Sequence, residues 1–361
     1  MKLTKEIAYQ ALQDFFNQIP FVLFATGTSC AVDLDFGMTS LERYLKDEIP
    51  KFDLTPDQAL EWANLVEALV LNSDFESAMN AVQDIDLLNR IIEKTAEHVS
   101  NTDKKSAFGI LNGDIPWPAI NMFKRLVEKL PENNKQLHVA TPNYDLLAEY
   151  AFARAKIPYT TGFWGGVLRC LDWAQAERQL TYAAEVVSGK KKQRTTRYLK
   201  HIRLYKVHGS LNTFQFNNQV VETDIWQKPP DVVNRLMITP GTSKHQKLHD
   251  YRDALLGEFD KAIKKSSSFL FLGFGFNDTQ LVNNAISEKL INQKSPAIII
   301  TRSTNERIDT LLKDSKNTWM VCKNDVNNST RIFNSQYDDW LVLPDKEIWQ
   351  FDKFTTEIMG G

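Results

Sequence analysis

Three short polar segments hold the side chains that can do chemistry. They are Thr141-Pro142-Asn143-Tyr144-Asp145, His208-Gly209-Ser210 and Gly273-Phe274-Gly275-Phe276-Asn277-Asp278, and each follows a short apolar run. A carboxamide can donate and accept at once, an imidazole titrates near neutral pH, and together they can orient a nucleophile and take up its proton. A fourth segment, Ala25-Thr26-Gly27-Thr28-Ser29, follows the run Phe21-Val22-Leu23-Phe24. Its small side chains let backbone N–H groups approach a pyrophosphate closely. An open α/β sheet binds its ligand outside the C-terminal ends of its strands, which is where all four segments would stand, so they predict a nucleotide site. Each has an ordinary reading too. Asn143 and Asp145 read equally as helix caps, His208 as a half-buried histidine bonded to backbone, Gly273-Phe274-Gly275 as a packing turn and Asn277-Asp278 as a cap. The prediction rests on the conjunction.

The elements that must position these residues alternate in type. Residues 4 to 18 read as an amphipathic helix, Phe21 to Ala25 as a strand and Ser40 to about Glu48 as a helix. From there to about Lys135 the pattern is helical. Thr55-Pro56 marks a helix start, Leu60, Trp62, Leu65, Val66, Leu69 and Val70 supply an apolar face, and further helices run from about Phe75 to Ile92 and Pro118 to Leu130. A strand follows at Leu137 to Thr141, then a helix through Tyr150 and Ala155, and a loop at Thr161-Gly162-Phe163-Trp164-Gly165-Gly166. More strands are expected at Leu204–Val207, Leu236–Thr239, Phe269–Phe274, Ala297–Thr301 and Thr318–Cys322. The expected fold is α/β, a Rossmann-like, mostly parallel sheet with helices on both faces and a large helical insertion. In domain terms, residues 1–48 and 135–330 form the core, 49–134 the insertion and 331–361 a C-terminal extension.

In order and spacing the four segments resemble the sirtuin-like (silent information regulator) family of NAD-consuming proteins. That family has a Gly-Ala-Gly-x-Ser turn, a Thr-Gln-Asn-x-Asp segment, a His-Gly pair and a late glycine-containing strand end. Asn143-Tyr144-Asp145, His208-Gly209-Ser210 and Gly273-Phe274-Gly275-Phe276-Asn277-Asp278 look most like the bacterial branch used as anti-phage NAD hydrolases. The resemblance runs from about residue 20 to 305. It departs from the deacylase sirtuins in several places. Their four zinc-binding cysteines have no counterpart among Cys30, Cys170 and Cys322, so no zinc is expected. Their Pro-Asp-Phe-Arg loop is replaced by Val32-Asp33-Leu34-Asp35-Phe36-Gly37-Met38, their Gln by Pro142, and the first two positions of their turn by Ala25 and Thr26.

The resemblance implies NAD+ as substrate. Cleaving nicotinamide from ribose passes through an oxocarbenium-like state with a neutral leaving group, so a strong general acid is not needed. On this reading Asn143 positions water or the ribose hydroxyls, His208 is the base, and Asp145 holds the nicotinamide carboxamide with Tyr144 as a wall. Gly27, Ser29, Gly273 and Gly275 line the phosphates and riboses, and Thr301-Arg302-Ser303 meets the adenosine. Thr28, Asp33, Phe36, Thr141, Gly209, Ser210, Asn277 and Asp278 complete the binding set. Three functions stay open: an NAD+ glycohydrolase, a non-catalytic NAD+ or ADP-ribose sensor subunit, and a deacylase. The resemblance also implies homo-oligomers and a separately encoded partner, a HerA-type ring ATPase or an Argonaute-like protein, with 49–134 and the segment from Arg331 as contact surfaces.

Composition bounds the rest. The chain has 361 residues, 43% hydrophobic and 24% charged, ample for a core. No apolar run reaches the roughly 18 residues of a membrane span, the N-terminus lacks a signal-like stretch and three unpatterned cysteines fit a reducing compartment, so a cytoplasmic location is expected. A net charge of −2 argues against a nucleic-acid coat, leaving nucleic acid an indirect partner. The one strongly basic run, Lys190 to Lys200 after Gly189, reads as an exposed loop or hairpin. His245 and His249 stand at metal-ligand spacing on a helix, but in a lysine-rich setting without an intervening Glu they read as a solvated helix start.

Overall fold

Short apolar strands alternating with amphipathic helices are best buried as a sheet covered on both faces. The computed structural model describes residues 2–71, 75–79, 82–188, 191–230, 232–237, 246–278 and 281–360. Its main sheet has nine strands among the described residues. In spatial order they are Leu341–Leu343, Thr330–Phe333, Thr318–Lys323, Ala297–Thr301, Phe269–Leu272, Phe21–Phe24, Gln136–Thr141, His201–Lys206 and Tyr159–Thr160. From Thr318–Lys323 to Tyr159–Thr160 all neighbours are parallel, and the two strands beyond Thr318–Lys323 join antiparallel. The chain lays down Phe21–Phe24, builds to one side with Gln136–Thr141 and His201–Lys206, then returns to the other side with Phe269–Leu272. The order therefore reverses between Phe24 and Leu272, which pair in register, and a crevice opens at their C-terminal ends.

Strand alternation divides the core. Val22, Phe24, Leu270, Leu272, Ile298 and Ile300 face helices Lys5–Phe15, Ile120–Glu128, Leu147–Arg154 and Phe351–Ile358. Phe21, Leu23, Phe269, Phe271, Ala297 and Ile299 face helices Gln246–Lys265 and Glu306–Asp314. Burial of both faces is why these strands read as unbroken apolar runs. The C-terminal helix buries Phe351, Phe354 and Ile358 in the first of these cores, so the apolar side of a segment expected to offer a contact surface is covered by the chain itself.

Among the described residues, the elements between 38 and 128 are all helices. Thr55 caps Pro56–Val70 through a capping box with Gln58, with Pro56 in the first turn. The pattern expected as one helix from Phe75 to Ile92 is two, Phe75–Met79 and Ile85–Asn112, because Asp84 accepts the Leu87 N–H and starts a new helix. Leu41, Leu45, Trp62, Leu65, Leu87 and Ile91 form a separate apolar cluster, whereas Ile110, Trp117 and Phe123 belong to the core under the sheet.

The sequence reading missed a second sheet. Asn234–Met237, Gly209–Phe216, Gln219–Glu222, Arg169–Leu171 and Phe163–Gly165 are antiparallel in that order. The expected loop at 161–166 therefore includes a strand, turned by Gly165 at φ +140°. A third pair, Thr181–Ser188 with Lys191–Tyr198, is a two-stranded ribbon. The side chains of His245 and His249, together with Thr239 and Lys190, lie outside the described residues.

Candidate active site

Four strand ends deliver four segments to the crevice. Gly27 and Gly273 meet there: the Gly27 N–H donates to the Gly273 carbonyl at 3.1 Å. A Cβ on Gly27 would stand 2.6 Å from Gly273 Cα, and Gly273 itself sits at φ +58°, so neither position accepts a side chain without parting the strands. The segment after the first strand is a short helix, Thr26–Cys30, in which Thr28 Oγ1 donates to the Ala25 carbonyl and Ser29 is turned inward and buried.

Ser29 joins two segments that are more than a hundred residues apart. Its Oγ donates to Asp145 Oδ2 at 2.7 Å and accepts from Asn143 Nδ2 at 2.9 Å. A hydroxyl has one hydrogen, and Asp145 takes it, so Asn143 must present its NH2 to Ser29 and its carbonyl oxygen the other way. Asn143 Oδ1 is consequently buried without a hydrogen-bond partner. Such a group costs about 1–3 kcal/mol until something donates to it. Thr141 Oγ1 accepts the Asn143 N–H at 3.1 Å and holds the backbone of the loop.

The loop is braced from beneath. Lys206, buried in the strand His201–Lys206, donates to the Asp145 carbonyl at 2.7 Å and pairs with Glu149 at 2.9 Å. Burial pushes the Asp145 and Glu149 carboxyls upward, and the Lys206 ammonium opposes it. From the helix Ile85–Asn112, Asp103 accepts from the Leu146 N–H at 2.8 Å and the Tyr150 hydroxyl at 2.7 Å; burial moves its carboxyl up to about 6. Asp145 thus stands behind Ser29, also accepting the Leu147 N–H at 3.3 Å, and neither it, Ser29 nor Asn143 is on the cavity wall, which Pro142 and Tyr144 form here.

His208 does face the cavity. Its Nε2 lies 3.0 Å from Asp278 Oδ2, while Asp278 Oδ1 accepts the Leu281 N–H at 3.1 Å, so Asp278 both caps and pairs. Phe276, at φ +58°, is pinned against Phe271 and Phe274 with centroids 4.9 and 4.7 Å away, two residues before the Asp278 that meets His208. The cavity measures about 270 Å³. Its walls come from Ala25, Thr26, Pro142, Tyr144, His208 and Gly273 to Asp278 on the sheet side, and from Met38, Leu41, Phe75 and Thr95 on the helical side. A larger hollow of about 670 Å³ is lined by Lys135 and Gln136 at the start of a parallel strand, the end at which this architecture does not bind ligands.

Other sequence-predicted positions are dispersed. Asp33 caps the turn Leu34–Phe36 by accepting the Asp35 N–H, and Phe36 packs on the core. Gly209, at φ +75°, begins the antiparallel strand; Ser210 bonds to Asn212 and Thr213 within it. Gly275 and Asn277 line the cavity, and Arg302 is exposed at its strand end. Sequence reasoning missed Met38, Leu41, Phe75 and Thr95, whose helical pattern carries no mark of a site. It also missed Lys206, for which a signal existed: a lone cation inside the run Leu204-Tyr205-Lys206-Val207.

Residues 137–320, just over half of the chain, match the family model of the SIR2-like domain. The chain belongs to the SIR2-like family. SIR2-like domains bind NAD, and the family generally includes NAD-dependent enzymes. No curated protein matches the chain. The SIR2-like match includes Asn143, His208 and Gly273 but not Gly27 or Ser29, which join them only because Phe21–Phe24 pairs between Phe269–Leu272 and Gln136–Thr141. Among the described residues no group of three His, Cys, Asp or Glu side chains is placed to hold a metal ion, and no helix is long and apolar enough to cross a membrane.

Proposed function

We propose that this SIR2-like chain is an NAD+ glycohydrolase, releasing nicotinamide and ADP-ribose. The observation that carries the reading is Asn143 Oδ1, buried without a donor from the protein in the loop between the cavity-lining Pro142 and Tyr144. An attacking water or a ribose hydroxyl supplies one. Ser29 and Asp145 fix the amide, and His208, paired with Asp278, takes up the proton released as the nucleophile adds. The cavity of about 270 Å³ is below the roughly 300–1,000 Å³ of small-molecule sites, so Met38, Leu41 and Phe75 must move outward to admit a dinucleotide.

Incubation with NAD+, with nicotinamide and ADP-ribose followed by chromatography beside Asn143→Ala, tests this. Product from the wild type alone supports a hydrolase using this site; equal product from the variant removes Asn143 from the chemistry. The small size of the cavity also favours a second reading, a subunit that senses NAD+ or ADP-ribose, for which tight binding without product is the signature. Turnover that required an acyl-lysine peptide would restore the deacylase. A role in anti-phage NAD+ depletion in the cytoplasm, as an oligomer with a ring ATPase or Argonaute-like partner, follows from resemblance, and NAD+ levels that hold steady in infected cells expressing the protein would remove it.

A further inference from the structure

The ribbon Thr181–Ser188 with Lys191–Tyr198 belongs to neither larger sheet, and its described side chains are exposed or half-exposed on both faces. An isolated two-stranded ribbon is marginally stable, so core burial does not account for its eight-residue strands. Its charge is lopsided. Between Thr181 and Lys200 the six cations Lys190, Lys191, Lys192, Arg194, Arg197 and Lys200 meet one carboxylate, Glu185, in a chain of net charge −2. Glu185 is opposite Arg194 in register, yet its carboxylate is 3.9 Å from Lys192; neither Arg194 nor Arg197 forms an ion pair among the described residues, and a carboxylate outside the ribbon, Glu132, is shared by Arg197 and Lys200 with Lys135. No cation stands opposite another across the ribbon, so the surplus positive charge is carried without cross-strand repulsion and is left exposed to an external anion.

Shape narrows the anion. Two strands about 4.8 Å apart with their side chains fit a B-form major groove about 12 Å wide, and eight residues extend about 26 Å along it. Between the cations stand Gln193, Thr195 and Thr196, which hydrogen-bond to phosphates or base edges. The sequence joining the two strands, Ser188-Gly189-Lys190-Lys191, has no apolar side chain to enter a membrane. We propose that the ribbon is a docking surface for duplex DNA, with Lys192, Arg194 and Arg197 on the phosphates. This is independent of the NAD+ reading, since none of these residues lines the crevice.

The test is fluorescence anisotropy of a short labelled DNA duplex of mixed sequence titrated with the full chain at several salt concentrations. Wild type is expected to bind with an affinity that falls steeply with salt. K192E/R194E/R197E should weaken binding by about tenfold or more and flatten the logarithmic salt slope by about 0.9 per lost phosphate contact, leaving NAD+ turnover as in wild type. A neutral set, K192Q/R194Q/R197Q, gives the same reading if charge reversal impairs folding. The proposal is overturned by absence of duplex binding, by equal loss in the charge-matched control K313E/K316E/K353E, or by binding to phosphatidylserine vesicles in place of DNA.

Discussion

Replacing Lys206 by Met removes the cation beneath the Asn143 loop while keeping an apolar stem in the strand. The ammonium lies 2.9 Å from Glu149 and 2.7 Å from the Asp145 carbonyl, and both Lys206 and Glu149 are buried. Breaking a buried pair by deleting one partner costs about 3–5 kcal/mol, because the remaining charge is uncompensated. The cost has a definite pH dependence. Burial already raises Glu149 and Lys206 opposes it, so Lys206→Met raises it further. A carboxyl whose folded-state pKa is raised contributes its stability below its unfolded value and loses it as pH rises through the folded value, about 1.36 kcal/mol per unit. The deficit should therefore be small near pH 4.5 and approach its full size at pH 8. Urea unfolding of both proteins at pH 4.5 and pH 8 measures it, and Lys206→Met/Glu149→Gln should recover most of the pH 8 loss. A deficit below about 1 kcal/mol at pH 8, or one equal at both pH values, would refute the assignment of Lys206 as the counter-charge.

Gly27→Ala should cost about 1–3 kcal/mol and lower NAD+ turnover, because its Cβ meets Gly273 backbone at 2.6 Å; unchanged thermal unfolding would show that the strand ends can part freely. Glu222, buried beside Arg169, is pushed up to about 7 by burial, so its stabilising contribution is full below its ordinary 4.5 and is lost as pH rises through 7, about 3 kcal/mol in all. Glu222→Gln should flatten the stability profile across that window, as read by denaturant midpoints. Asp278→Asn keeps an acceptor for the Leu281 N–H but removes the charge at His208, and should reduce NAD+ turnover roughly 100-fold with NAD+ affinity kept. Equal loss of affinity by calorimetry would make Asp278 a binding group.

The parallel sheet was legible because its strands are buried on both faces. Phe21–Phe24, Phe269–Leu272 and Ala297–Thr301 are continuous apolar runs, and Thr55-Pro56 marks a helix start through the chemistry of adjacent residues. Such signals are local, and the polar segments after the runs could be read in order along the chain. Of the antiparallel strands, Asn234–Met237 was legible as the run expected at Leu236–Thr239, and the ribbon as a hairpin, but Gly209–Phe216 was not: it mixes polar and apolar residues because its partners, not its own periodicity, determine which face is covered. The division of an expected single helix at Asp84 shows the same limit, since one cap outweighed a continuing apolar pattern. What the sequence by itself determined was the sheet and the polar residues at its strand ends. The tertiary structure alone decided that Ser29 takes its place between Asn143 and Asp145, that Lys206 holds the loop from beneath, and that Met38, Leu41 and Phe75 line the cavity. Those contacts join residues far apart in the chain, and only the packing of sheet, helices and buried charges brings them within a few ångströms of one another.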